Sequence, residues 1–156
     1  MAFRVFISHS TADLELVYQL KCGLEINRIE TYLAEAYPQP GTSLSGKISN
    51  AIDQSNCVIA VFTRDGVRSQ WVNQEIGYAK KAAKIVIPIV EEGVPHNGFV
   101  QGIEYVPFSR ENPTDAISRI IERLAQLKAN KETQEKIIAG FLILLGLLAL
   151  AASNKE

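Results

Sequence analysis

Glu75 is the side chain in this sequence best placed to do chemistry. It lies in SQWVNQEIGYAKKAA, Ser69 to Ala83, where Val72, Ile76, Ala79 and Ala83 recur at helical spacing and share one face. Ser69 is in position to cap that helix. Trp71, Glu75, Tyr78 and Ala82 make a second line beside the first, so Glu75 leans over the edge of the apolar stripe, one turn beyond the sole tryptophan. No basic residue stands three or four positions after it, or four before, and the usual surface pairing of Glu with Lys is therefore missing. A carboxylate held half-buried beside aromatic rings is a candidate for chemistry. The plain alternative is an exposed glutamate that lacks a helical partner. One carboxylate in a crevice suits glycosidic chemistry, because its charge stabilises the oxocarbenium-like ribosyl centre left as a good leaving group departs.

Other chemistries find less in the sequence. GTSLSGK, Gly41 to Lys47, spells a phosphate-binding loop up to its last letter, but Ile48 stands where Ser or Thr must hold magnesium. No G-x-G-x-x-G fingerprint occurs, and Thr63 ends the third apolar run where a phospho-accepting receiver domain needs an aspartate. His9 and His96 are far apart and lack metal spacing; Cys22 and Cys57 are too few for a zinc site or a disulfide framework and read as reduced core residues. Sixteen basic against seventeen acidic residues leave a net charge of −1, and no basic stripe with interleaved aromatics points to nucleic acid.

The elements that must position Glu75 follow from the hydropathy pattern. With 156 residues, 47% hydrophobic and 21% charged, the chain is long enough for one domain with a real core. Phe3–Ile7, Ile29–Ala34, Cys57–Phe62, Ile85–Val90 and Glu104–Phe108 read as strands, with CVIAVF and IVIPIV apolar on both faces and therefore central. Helices are expected from Leu14 to Asn27 with Asp13 as cap, from Leu44 to about Ser55, over the Glu75 segment, and from Asp115 to Leu127 with Ile117, Ile120, Ile121 and Leu124 inward. Strand and helix alternate, which predicts an α/β doubly wound parallel sheet of five strands in the flavodoxin-like order 2-1-3-4-5. Its crevice lies beyond the carboxyl ends of strands 1 and 3. That rule selects Ser8–Ser10 and Thr63–Ser69, with the Gly41 loop next nearest and Glu75 in the first turns of the following helix.

Three segments in register resemble TIR (Toll/interleukin-1 receptor) domains. VFISHSTAD, Val5 to Asp13, is similar to the family's first box; PGTSLSGKISNAIDQSNCVIAVFT, Pro40 to Thr63, to its BB loop, second helix and third strand; and SQWVNQE to the W-x-x-x-E segment of NAD-cleaving members. The resemblance covers residues 2 to about 127 and implies NAD+ as substrate, nicotinamide as one product and ADP-ribose or a cyclic isomer as the other, with no cofactor. It implies Glu75 as the catalytic carboxylate, Ser8, His9 and Ser10 along the pocket, Trp71 in its wall, and a mobile lid from Gly41 through Ser43 to Ser45. It further implies a homo-oligomer through TIR–TIR contacts, other TIR proteins or a downstream effector as partners, and a role in signalling or antiviral defence of a prokaryotic kind. Many TIR domains are adaptors without activity, and that alternative stands beside the enzyme. A more distant one is a nucleoside deoxyribosyltransferase-like enzyme, which shares the fold and uses its glutamate as a nucleophile.

The C-terminal stretch is treated apart. After a polar linker at 128–136, IIAGFLILLGLLALAA at 137–152 has no polar side chain. As a helix it spans about 24 Å against the ~30 Å hydrocarbon core, with Lys136 and Ser153 able to snorkel. The expectation is a single membrane span, a tail anchor that leaves the TIR-like domain of residues 1–127 in the cytoplasm and a short tail at 153–156; the alternative is a buried or oligomer-forming helix.

Overall fold

A computed structural model describes residues 2–33, 44–66, 69–95 and 102–153, apart from the side chains of 44, 148, 149 and 151–153. Five parallel strands, β1 (Phe3–Ser8), β2 (Ile29–Leu33), β3 (Cys57–Phe62), β4 (Ile85–Glu91) and β5 (Val106–Phe108), form one sheet in the order β2-β1-β3-β4-β5. The helices are α1 (Leu14–Ile26), α2 (Leu44–Gln54), α3 (Gln70–Lys81) and α4 (Pro113–Ser153). The expected sheet order is thus observed. All six residues of β3 are buried, as a strand covered on both faces requires. Pro88 sits inside β4, but β5 pairs with β4 only from Ile89 onward, so below that point β4 is an edge where a missing N–H is tolerated.

Val58, Ala60 and Phe62 of β3 share one face at period two, with Phe6 and Val90 in register beside them, and two clusters lie along that face. Phe6 and Val58 pack with Ile48 and Ile52 of α2 and Ala79 of α3; Ala60, Phe62 and Val90 pack with Val72 and Ile76 of α3. On α1, Val17, Leu20 and Leu24 are buried. Cys57 lies in the core as expected, but Cys22 is exposed, because it lies two residues, more than half a turn, from Leu20 and from Leu24.

Asp13 departs from its expected part. It precedes α1, yet its carboxylate makes no cap hydrogen bond to that helix; a single 3-10 turn, Thr11–Asp13, intervenes, and Ser10 caps it by accepting from the Ala12 N–H.

The chain divides into two compact units, Met1–Ile121 and Glu122–Glu156. In the first, Ala116 and Ile120 of α4 are buried, and the Cβ that an alanine would place at Gly23 of α1 lies 3.1 Å from Ile117 and 3.3 Å from Ile121. The second unit is helical through Ser153, so the expected linker at 128–136 is itself part of α4. Ile137, Phe141, Leu142, Ile143 and Leu147 are exposed on every side of it. The expected tail anchor is corrected here: among the described residues no helix is long and apolar enough to cross a membrane. The apolar run is about 24 Å long, short of the ~30 Å hydrocarbon core, and it continues directly from charged turns that hold the Lys131–Glu135 ion pair.

Candidate functional site

Geometry brings Ser8 and Glu75 together. Ser8 ends β1 two residues after Phe6 and so points to the same face of the sheet. Phe6 and Ala79 belong to one core cluster, and Glu75 lies one helical turn before Ala79. Two residues of strand advance about 6.6 Å and one turn of helix about 5.4 Å, which sets Ser8 opposite Glu75 as Phe6 is set against Ala79. The Ser8 hydroxyl donates to Glu75 Oε2 in the interior of the protein. Glu75 is 7% exposed and Ser8 1%. In register with Ser8 on the neighbouring strand is Ala60, whose side chain stops at Cβ. The pair stands at the carboxyl ends of β1 and β3, the switch point of the sheet.

Helix α3 holds the glutamate from its start. Ser69, in extended conformation, accepts at its hydroxyl from the Val72 N–H, which fixes the first turn. Val72, Glu75, Ile76 and Ala79 are the buried residues of the helix. The predicted stripe is present through Ala79, whereas Ala83 lies beyond the end of the helix, exposed and with a φ of 54°; the carboxylate lies on the buried side of the stripe rather than at its edge.

The other expected site residues are placed as follows. His9 is buried and turns back on its own strand, with Nδ1 3.1 Å from the Ile7 carbonyl oxygen; that nitrogen carries the proton of the bond. Ser10 is half-buried and engaged in the 3-10 turn. Trp71 is 56% exposed. Ser45 is exposed in the first turn of α2. Gly41 and Ser43 lie outside the described residues. Among the described residues no group of three or more His, Cys, Asp or Glu side chains is placed to hold a metal ion.

Beside the pair lies a polar network that the sequence reading passed over. Thr63 Oγ1 donates to Asp13 Oδ2 at 2.9 Å and accepts from the Gly66 N–H at 2.8 Å. Gly66 sits so close that a Cβ there would lie 2.6 Å from Asp13 Oδ2 and 2.9 Å from Thr63 Oγ1. Its carbonyl oxygen accepts from the Ser69 N–H at 2.9 Å, which joins the network to the cap of α3. Arg110, on a tight turn closed by the Asn112 N–H to the Ser109 carbonyl, donates from Nε to Glu91 Oε1 at 2.8 Å and from Nη2 to Asp65 Oδ2 at 2.9 Å. The same Nη2 is 3.7 Å from Asp13 Oδ1. Glu91 Oε2 accepts from the Arg64 N–H at 2.9 Å.

These surroundings set the acidities. Burial pushes the Asp13 carboxyl above its ordinary value, against the Thr63 hydrogen bond and the Arg110 charge. Burial also pushes Glu91 up, but the Arg110 hydrogen bond, the Arg64 N–H and the charge of both arginines together hold it below the ordinary value. The rule that favours loops at the carboxyl ends of strands could have drawn attention to Arg110, since it follows β5.

Comparison with known proteins agrees with this architecture. The TIR domain family model matches residues 5–121, and no curated protein matches the chain. Among solved structures, the TIR domain of the Toll-related receptor TRR-2 from Hydra magnipapillata is 21% identical with a TM-score of 0.67, covering 80% of this chain and 97% of its own. The TIR domains of the activated Roq1 resistosome are 19% identical with a TM-score of 0.64, covering 78% and 99%. The CMP N-glycosidase BcmB of Clostridium botulinum is 19% identical with a TM-score of 0.59, covering 75% and 96%. At such identities the likeness to each is one of fold.

Proposed function

The chain belongs to the TIR domain family, and from that membership we propose that it is an NAD+ nucleosidase with Glu75 as its catalytic carboxylate. The observation that carries the proposal is the burial of Glu75 against Ser8 at the switch point of the sheet. A ribose diol can present hydroxyls to a carboxylate just as Ser8 presents one. In the reaction the C1′–N bond breaks and its electron pair goes to the ring nitrogen, so the cationic pyridinium leaves as neutral nicotinamide. The positive charge passes to the ribosyl C1′–O4′ unit, where the Glu75 carboxylate offsets it in a site poor in water. Water then adds to C1′ and releases a proton to give ADP-ribose; attack by a nucleophile within the ADP-ribosyl group gives a cyclic isomer instead. A leaving group that departs neutral needs little acid assistance, which is why one carboxylate suffices and no cofactor is required.

Trp71, exposed beside the start of α3, would close the outer wall, with the segment from Gly41 to Ser45 as a lid. The partner is a second copy of the chain through TIR–TIR contacts, the role one in signalling or defence. The test is nicotinamide release from NAD+ by concentrated protein, with Glu75→Gln as the matched variant; activity that survives the substitution would remove Glu75 from the chemistry. A non-enzymatic TIR–TIR interaction module is the second reading. It is favoured by the same pair, since a buried carboxylate held by a serine can serve a core, and it predicts no nicotinamide at any concentration. A covalent 2-deoxyribosyl ester on Glu75, formed from a deoxynucleoside as its base leaves, would favour the transferase.

A further inference from the structure

We propose that Arg110 is a positioning residue for the Glu75 site, a clip that gathers the loops at the carboxyl end of the sheet and thereby fixes where α3 begins. The inference rests on the reading of Glu75 given above for its catalytic consequence, but its structural part stands by itself.

One guanidinium meets three carboxylates from three separate segments: Asp13 after β1, Asp65 after β3 and Glu91 at the end of β4. Two of the three are almost wholly enclosed, with side-chain exposures of 1% for Asp13 and 5% for Glu91. Buried carboxylates are costly unless paired, so the fold gains by keeping Arg110 where it is. The planar fork of arginine can engage Glu91 and Asp65 through different nitrogens at once, which a lysine cannot do. Its mount is firm: the Ser109–Asn112 turn leads directly into Pro113, the first residue of α4, where proline's fixed φ suits a helix start.

From this clip a continuous line of bonds leads to the catalytic pair. Arg110 holds Asp65, and next to it Gly66 donates to Thr63, whose hydroxyl is bonded to Asp13. Gly66 in turn accepts from Ser69, and Ser69 caps α3. Six residues later, less than two turns of helix, stands Glu75, bonded to Ser8, which lies five residues before Asp13. The circuit closes on itself. Without Arg110, the 63–66 turn would keep the Thr63–Asp13 bond and the Arg64 contacts to Glu91 but lose the Arg110 links from Asp65 and Asp13 to the turn after β5, and the start of α3 would gain freedom relative to β1.

The test compares Arg110→Ala and Arg110→Lys in the full chain with Arg119→Ala, which removes an exposed pair with Asp115 and serves as control. Two readouts are taken: amide hydrogen exchange across residues 69–75 with the emission of Trp71, the sole tryptophan, and kcat and KM for NAD+. The expected result for Arg110→Ala is faster exchange in the first turn of α3, a shifted Trp71 emission and a kcat lower by about ten- to a hundredfold, since small misplacements of catalytic groups have effects of that order. KM should change far less, because the loss is in geometry at the reacting centre. Arg110→Lys should fall between, and Arg119→Ala should match the parent. The proposal is overturned if Arg110→Ala leaves exchange and Trp71 emission as in the parent. It is equally overturned if kcat falls no further than in the control. A parent that releases no nicotinamide refutes the enzyme reading alone, and exchange and emission then decide the clip. Should Arg110→Ala not fold, the lysine variant decides it by the same readouts.

Discussion

Ser8 and Glu75 stand 67 residues apart in sequence and share a hydrogen bond in the interior of the protein. The bond ties the last residue of β1 to a helix that packs across β1, β3 and β4, and so measures whether β1, β3 and α3 are assembled correctly. Glu75→Gln keeps the shape and removes the charge. Nicotinamide release should fall by about 100- to 1,000-fold, the range for loss of one preorganised electrostatic group, while thermal unfolding shifts little. A calorimetric scan beside the assay separates the two effects.

Ser8→Ala should affect both quantities. It leaves a buried carboxylate without the hydroxyl it accepts from, which costs about 1–3 kcal/mol, to be read from the urea midpoint. Nicotinamide release should fall too, but less than for Glu75→Gln, because the charge remains.

Gly66→Ala tests the close packing of the 63–66 turn on the 10–13 turn. The new Cβ meets Asp13 Oδ2 at 2.6 Å, Thr63 Oγ1 at 2.9 Å and Ser10 Cβ at 3.1 Å. Both oxygens belong to a network that cannot easily shift. Destabilisation of about 1–3 kcal/mol is expected, as for other overpacked sites, again by urea titration.

Acid stability should carry opposite contributions from two buried carboxylates. Glu91 is held below its ordinary 4.5, so its contribution is present above pH 4.5 and is lost as pH falls through its folded value. Asp13 is raised from 3.8; its contribution is fullest below pH 3.8 and is lost as pH rises through its folded value. Glu91→Gln should therefore flatten the loss of stability in acid, and Asp13→Asn should steepen it. Melting temperatures measured from pH 3 to 7 check both signs.

Catalysis by assembled copies predicts a specific activity that rises with protein concentration. A dilution series of the full chain, with sedimentation at the same concentrations, should show activity and association rising together.

Much of this arrangement could be read from the sequence because it rests on period. The apolar runs gave the strands, their alternation with helices gave the sheet order, and the spacing of Val72, Ile76 and Ala79 gave the buried face beside Glu75. The switch-point rule then placed Ser8 near it. What escaped has no period. Asp13 looked like a helix cap because caps are local, whereas its partner Thr63 is 50 residues away. Arg110, Glu91 and Asp65 are single charges in loops and strand ends, and nothing in their spacing says that they meet. Cys22 was misread because an apolar-periodic segment does not make each small residue in it an inward one. The C-terminal run was known to be short, about 24 Å against the ~30 Å hydrocarbon core, and its unbroken apolar composition was given more weight than that length.

The sheet order has a consequence for how the chain is made. β1 is synthesised first, yet it needs β3 on one side, with Val5 in register with Cys57. At ~5–20 residues per second the ribosome takes about three to ten seconds to supply that neighbour. During that interval the nascent chain carries an apolar strand with an open flank, covered at best by β2 and α1. Glu75, the carboxylate proposed for catalysis, arrives later still. A fragment released before α3 is complete would thus be a template for aggregation and would lack the Ser8–Glu75 bond that joins β1 to that helix.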